Sequence, residues 1–99
     1  MYLIVVTIRY MEITYDRSKN LQNINSRNLS FEEAVDFDFE TANYTIDKRK
    51  DYGEIRRCAI GYLGNRLHTL VFTETKNGIR VISFRKANKR EVTNYEQKN

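Results

Sequence analysis

The 99-residue chain has no proline and no tryptophan, only four glycines, and a single cysteine and a single histidine. Because it lacks proline and any Gly/Ser-rich stretch, it contains no flexible linker between two folded units. The single cysteine, Cys58, excludes a disulfide framework and a cysteine-based zinc site. The single histidine, His68, excludes a multi-histidine metal site. The sequence therefore predicts neither a metal nor another cofactor.

Long apolar runs are also missing. No segment approaches the about 18–20 apolar residues that a membrane span needs. The apolar opening, residues 2–8, is too short for a signal peptide and lacks a basic start and a small-residue cleavage site. We therefore expect a cytoplasmic protein that does not bind a membrane. A chain of this length accommodates one small domain, which we expect to span residues 1–99.

The charge is unevenly distributed along the chain. Lys and Arg number 17 and Asp and Glu number 13, which gives a net charge of +4. Residues 1–44 hold 4 basic and 7 acidic side chains, whereas residues 45–99 hold 13 basic and 6 acidic ones. A basic half on a small protein suggests a polyanionic partner, most commonly nucleic acid. A solvated, ion-paired surface explains the same charges equally well.

Four segments are rich in β-branched and aromatic residues or alternate apolar with polar residues, which is typical of strands. The first favours a strand or a hairpin over residues 2–15. Because an unpaired strand of this kind invites aggregation, residues 2–9 should pair within the chain or with a second copy. The other three are separated by tight-turn sequences and predict an antiparallel meander. These three strands are predicted over residues 54–63, 67–74 and 79–85.

Three segments begin with a residue whose side chain can cap a helix, and in two of them a glutamate follows at the capping-box spacing. The predicted helices are 17–26 after Asp16, 31–38 after Ser30 with Glu33, and a C-terminal helix after Asn88 with Glu91. Residues 39–53 are predicted to form a loop with a short strand at 43–47. This order of elements predicts an α+β fold, in which an antiparallel sheet has its helices packed on one face.

Several short motifs occur in a characteristic order along the chain. They are Tyr15-Asp16-x-x-Lys19-x-x-x-Asn23, Leu29-Ser30-Phe31-Glu32-Glu33-Ala34, Gly53-Glu54-x-Arg56 running into Ile60-Gly61, and Arg80-Val81-Ile82-Ser83-x-Arg85-Lys86-Ala87 followed by Arg90-Glu91 and Tyr95. Together they resemble the BrnT family of toxins from type II toxin–antitoxin systems. The resemblance covers about residues 11–95, and the ordered set is far more specific than any one motif.

The resemblance implies a fold, an activity and a partner. The fold would be a compact α+β domain related to the RelE superfamily. The activity would be that of an endoribonuclease that halts translation. The partner would be a cognate antitoxin, a dimeric DNA-binding protein that wraps the toxin, and the complex would bind its own promoter.

The chain departs from the family pattern at three places. Tyr15 stands where the family usually has tryptophan. Residues 26–28 read Ser-Arg-Asn where the family usually has Lys-His-Gly, which leaves only Arg27 there; it can bind phosphate but is too basic to shuttle a proton. Residues 1–10 precede the usual family start, so Met11 is a candidate alternative translation start.

Metal-free RNA cleavage needs positive charge at the transition state and groups that accept and donate protons. The resemblance marks Arg56, Arg80 and Arg85 as catalytic, and arginine is always charged and binds phosphate bidentately. We expect the three to surround one phosphate; the alternative is that each is a surface ion-pair partner. In a regular strand Arg80 and Arg85 point to opposite faces, so they converge only if a bulge or the strand end redirects one. Glu54 is either the general base or, as we favour, an ion-pair partner that orients an arginine.

Five further basic residues are candidates for RNA binding through phosphate contacts. They are Lys19, Arg27, Lys86, Lys89 and Arg90. The alternative for each is a solvated helix or strand-end position with no ligand.

Two other functions stay open at this point. The chain could be a non-catalytic RNA- or nucleic-acid-binding module, or a degenerate toxin that acts only through its partner. The loss of the Lys-His pair at residues 26–28 favours the first of these. His68 lies outside the motifs and is expected to be a surface or a satisfied core residue rather than a catalyst.

Overall fold

A single sheet forms the centre of the molecule. The computed structural model describes residues 3–8 and 11–99, and within them six strands are ordered β1-β2-β6-β5-β4-β3. The strands are β1 Leu3–Ile8, β2 Met11–Asp16, β3 Asn43–Ile46, β4 Arg57–Leu63, β5 Arg66–Glu74 and β6 Gly78–Lys86. All neighbouring strands are antiparallel except β2 and β6, which are parallel. The predicted α+β class, with a mostly antiparallel sheet, is confirmed.

The N-terminal segment forms a hairpin. β1 pairs with β2 in antiparallel register, from Leu3 opposite Asp16 to Ile8 opposite Met11. The strand predicted over residues 2–9 is confirmed over the described residues 3–8, while residues 2 and 9 lie outside them. Of the strand or hairpin expected over residues 2–15, the structure has the hairpin, so the backbone of β1 is paired within the chain, as an apolar strand requires.

Helix α1, Arg17–Arg27, begins and ends as the sequence predicts. The Asp16 carboxylate accepts hydrogen bonds from the backbone N–H groups of Ser18 at 2.8 Å and Lys19 at 3.3 Å. Asn28 ends the helix in the left-handed conformation with a φ of 55°. Asparagine tolerates this conformation better than most residues, so Asn28 can end the helix at low cost.

The second predicted helix is shorter and tighter than expected. Phe31–Asp36 is a 3₁₀ helix, with the predicted capping box between Ser30 and Glu33 in place. It ends before residue 38 because Phe37 takes up an extended conformation and bridges to Leu63 of β4. The Phe37 side chain is buried, so its place in the core overrides continuation of the helix. The C-terminal helix α2, Lys89–Lys98, has its predicted Asn88–Glu91 capping box.

The two faces of the sheet carry different helices. α1 and the 3₁₀ helix pack on what we call the inner face, over a core that includes Ile13, Tyr15, Phe31, Leu70 and Phe84. α2 packs on the opposite, outer face. Its Tyr95 and Val92 contact Leu67 and Ile60, which the alternation of β5 and β4 directs away from the core of the inner face.

The predicted packing of the helices on one face therefore holds for α1 and the 3₁₀ helix, whereas α2 packs on the other face. The reason lies in the apolar side chains of the outer face, which α2 covers. Within the described residues, no helix is long and apolar enough to cross a lipid bilayer.

A β-bulge interrupts β6 at its middle. Val71 of β5 pairs with Ser83 and the next residue, Phe72, pairs with Val81, so Ile82 is an extra residue in β6. A bulge of this kind shifts the alternation of side chains by one position. The consequence is that Arg80 and Arg85, an odd number of residues apart, lie on the same face.

Candidate functional site

Arg80 and Arg56 meet at one carboxylate on the outer face. Arg80 Nη2 donates to both Glu54 oxygens, at 2.9 and 3.0 Å, and Arg56 Nε donates to Glu54 Oε2 at 3.2 Å. The Arg56 guanidinium also stacks over the Tyr52 ring, 4.0 Å from its centroid. The three charged side chains remain partly open to solvent. This cluster carries a net positive charge and two fixed guanidinium groups.

The protonation state of Glu54 follows from its neighbours. Desolvation raises its pKa, but the hydrogen bond from Arg56 and the charge and hydrogen bond of Arg80 outweigh this and lower the pKa below its usual value. A carboxylate held ionised between two arginines is a weak proton acceptor. The geometry therefore fits the orienting role for Glu54 better than the role of general base.

Arg85 belongs to a second cluster, centred on Glu91 of α2. Arg85 Nη1 and Nη2 donate to the two Glu91 oxygens at 2.8 and 3.1 Å. Glu91 also accepts from the Thr69 hydroxyl at 2.9 Å and from the Asn88 backbone N–H at 2.9 Å. This carboxylate thus ties α2 to both β5 and β6.

The bulge brings the arginines to one face without bringing all three to one point. Arg80 and Arg85 pair with Thr73 and Thr69, which are four residues apart on β5. At about 3.3 Å per residue, their Cα atoms are about 13 Å apart. Arg56 and Arg80 are close together, whereas Arg85 stands apart beside Glu91. The three form a row along the outer face rather than a cage around a single phosphate.

A comparison with protein families identifies the family of this chain. The family model described as "Ribonuclease toxin, BrnT, of type II toxin-antitoxin system" matches residues 15–91, which is most of the chain. The chain belongs to the BrnT family. This membership implies an antitoxin partner. No curated protein and no solved structure matches the chain at a significant level.

Three of the predicted RNA-binding residues lie around the end of the sheet in this BrnT family member. Arg90 of α2 lines a groove of about 350 Å³ on the outer face, together with Arg85. Lys86 and Arg27 line a pocket on the inner side. Lys89 is exposed at the first turn of α2, and Lys19 is exposed on α1.

The outer groove contains two cationic residues that were not among the predicted site residues. Lys48 and Arg49 come from the loop after β3 and line the groove with Arg85 and Arg90. Arg49 forms an ion pair with Asp47, Nη2 to Oδ2 at 2.8 Å. The Lys-Arg-Lys run at 48–50 was the available signal, but nothing in the sequence shows that this loop reaches β6.

One residue of the family motifs is structural in this fold. Asn23 is buried, and its side-chain amide donates to the backbone oxygens of Leu29 and Phe84, both at 2.9 Å. It thereby fastens α1 and the following turn to β6. Arg27 Nη1 donates to Asn23 Oδ1 at 2.6 Å, so this anchor also positions Arg27.

Glu91 makes a testable contribution to stability. Burial raises its pKa, but the hydrogen bonds from Arg85, Asn88 and Thr69 lower it to about 2. Replacing Glu91 by glutamine is expected to lower the free energy of unfolding at pH 7 by about 1–2 kcal/mol, since charged hydrogen bonds of a partly buried group are lost. Thermal or urea denaturation of both proteins measures this difference.

The same variant has a defined pH dependence. Because the folded-state pKa is depressed, the stabilisation by Glu91 is complete above its ordinary pKa of 4.5 and is lost as the pH falls towards about 2. The difference between wild type and Glu91→Gln should therefore shrink between about pH 5 and pH 2. Glu96→Gln, on an exposed position of α2, is the control and should change little at any pH. A Glu91→Gln difference that stayed constant down to pH 2 would contradict the assignment.

Proposed function

We propose that this BrnT family member is a cytoplasmic endoribonuclease that cleaves RNA without a metal ion and inhibits translation. Its fold would then be a relative of the RelE superfamily. The observation that supports the activity most directly is the row of Arg56, Arg80 and Arg85 on one partly open sheet face. With one histidine and one cysteine, the sequence offers no multi-histidine site and no cysteine-based zinc site.

The spacing of the row suits an extended RNA strand better than a single phosphate. A strand that runs along β6 meets the guanidinium pair at Glu54 first and the Arg85 position about 13 Å further on. The groove beside Arg85 adds Arg90, Lys48 and Arg49. Arginine offers planar, bidentate contacts to phosphate, and several such contacts make binding strongly dependent on salt.

The antitoxin that the family implies would act by covering this row. We propose that it is a dimeric DNA-binding protein, that it buries Arg80 and Arg85, and that the complex binds its own promoter. The interface should exceed about 1,000 Å², as expected for a stable complex. Acidic side chains of the antitoxin would replace RNA phosphates at the arginines.

Cleavage of RNA by the purified chain tests the proposal. A mixed-sequence single-stranded RNA should be cut in the presence of EDTA, and expression without antitoxin should arrest growth and protein synthesis. Added antitoxin should prevent both effects. RNA binding with steep salt dependence but no cleavage would instead identify a non-catalytic binding protein. Neither binding nor cleavage, with the antitoxin still bound, would identify a toxin-like protein that acts only through its partner.

A further inference from the structure

A pocket opens on the inner side of the sheet where β5 and β6 end near α1. It measures about 530 Å³, which lies within the range of small-molecule sites. It is lined by Arg27, Asn28, Leu29, His68, Arg85 and Lys86. Three of these residues are cationic, and within the part of the chain that the structure describes no carboxylate lines the pocket. Such a lining favours an anionic ligand.

His68 is buried in the wall of this pocket with one ring nitrogen held and the other available. The residue is 5% exposed, and its Nδ1 lies 2.9 Å from the backbone oxygen of Arg66. Because a carbonyl oxygen can only accept, Nδ1 carries a proton, and in the neutral ring Nε2 then presents a lone pair. The ring is fixed further by Phe84, whose centroid is 5.6 Å away.

The Nε2 atom opens towards solvent. Among residues 3–8 and 11–99, Nε2 has no hydrogen-bond partner. In the same part of the chain every fully enclosed side-chain nitrogen or oxygen has a partner, so Nε2 is not fully enclosed. The titratable side chains that line the pocket on the side of His68 are Arg27 from α1 and Lys86 from β6, whereas the Arg85 guanidinium pairs with Glu91 on the outer face. A neutral imidazole nitrogen at the edge of a cationic pocket is suited to accept a proton next to a bound phosphate.

Two of the cations in the pocket are not engaged by carboxylates. Arg27 is oriented by Asn23, and neither Arg27 nor Lys86 forms an ion pair with any residue that the structure describes. Lys86 directly follows Arg85 in β6, so their side chains leave the strand on opposite faces. An RNA strand that passes from the outer face around the end of β6 would meet Arg85 and then Lys86.

Building on the proposed ribonuclease function, we propose that this pocket holds the scissile phosphate and that His68 is the general base. Arg27 and Lys86 bind the phosphate oxygens. His68 Nε2 accepts the proton of the ribose 2′-hydroxyl, the 2′-oxygen bonds to phosphorus, and the bond from phosphorus to the 5′-oxygen breaks. Water protonates the departing 5′-oxygen, and the imidazolium neutralises the hydroxide that remains. The products are a 2′,3′-cyclic phosphate and a 5′-hydroxyl.

The variant His68→Asn tests the base role. The asparagine amide can still donate to the Arg66 oxygen, as Nδ1 does, but it offers no atom in the place of Nε2. Its cleavage rate should fall by about 10²–10⁴-fold with little change in the thermal unfolding midpoint. A folded variant that cleaves RNA at the wild-type rate would overturn the base role and leave the ribonuclease function standing.

Phosphate binding is tested separately, without any cleavage. Because His68 is the one histidine in the chain, its ring signals are unambiguous in an NMR titration with inorganic phosphate. Phosphate should shift them saturably in wild type and much less in Arg27→Ala, whereas Arg17→Ala on the same helix should behave as wild type. If His68→Asn fails to fold, Arg27→Ala should still lower cleavage and phosphate binding together. If phosphate shifts the His68 signals but the protein cleaves no RNA, the ribonuclease function and the base role are both wrong. If phosphate leaves the signals unshifted, the pocket does not bind phosphate and the proposed phosphate site is wrong.

Discussion

Replacing Arg80 by alanine is expected to lower kcat/KM for cleavage of a single-stranded RNA by about 10- to 100-fold. Arg80 holds a fixed guanidinium at the start of the arginine row, oriented by two hydrogen bonds to Glu54. A charged hydrogen bond contributes about 1.5–3 kcal/mol, which corresponds to this range of rates. Removal of Arg80 also leaves Glu54 with one cation instead of two, so the local net charge falls to zero.

Three comparison variants separate this effect from a general loss of charge or fold. Lys89→Ala, at an exposed position outside the row, should reduce kcat/KM less than about threefold. Arg80→Lys should fall between wild type and Arg80→Ala, since lysine keeps the charge but loses the bidentate geometry. Glu54→Gln should tighten RNA binding because a competing carboxylate is removed. For Arg80→Ala, the slope of the logarithm of the RNA-binding constant against the logarithm of the salt concentration should be smaller in magnitude by about one.

The stability of Arg80→Ala should change little, because its ion pair lies at the surface. Thermal unfolding beside the cleavage assay checks this. If Arg80→Ala cleaves RNA as well as wild type, and Arg56→Ala and Arg85→Ala do so too, the arginine row is structural. RNA would then have to bind elsewhere on the molecule.

The helix ends could be predicted because their causes are local. Asp16, Ser30 and Asn88 each cap a helix with a side chain that bonds within three residues, and such bonds depend on neighbours in the sequence. The end of α1 at Asn28, in the left-handed conformation, also has a local cause. The 3₁₀ geometry after Ser30 could not be predicted, because burial of Phe37 against distant strands decides where that helix ends.

The candidate site could be predicted only in part, because its geometry depends on strand register. The motifs identify Arg56, Arg80 and Glu54, and the structure brings these three together. The bulge at Ile82 places the Arg85 side chain on the same face as Arg80. This bulge follows from the pairing of β6 with β5 rather than from any residue type in β6. His68 enters the pocket for a similar reason, since it lies opposite Lys86 in the register of two strands.

Replacing Gly78 by alanine is expected to destabilise the fold by about 2–3 kcal/mol, which for a chain of this size lowers the unfolding midpoint by about 10–20 °C. Gly78 begins β6 directly opposite Glu12 of β2. A Cβ atom there would lie 2.6 Å from the Glu12 backbone nitrogen and 2.8 Å from its carbonyl carbon. These are backbone atoms, so relief of the contact requires β2 to move away from β6.

The consequence should be greatest at the β1–β2 hairpin, because β2 joins it to the rest of the sheet only through β6. Amide hydrogen exchange should accelerate in β2 of Gly78→Ala more than in β4 and β5. Gly64→Ala is the matched control: its φ of 63° disfavours alanine, but its Cβ would meet nothing within 4 Å. We expect the control to cost about 1 kcal/mol from backbone strain alone. Equal losses of stability in the two variants would show that β2 and β6 are not in close contact at Gly78.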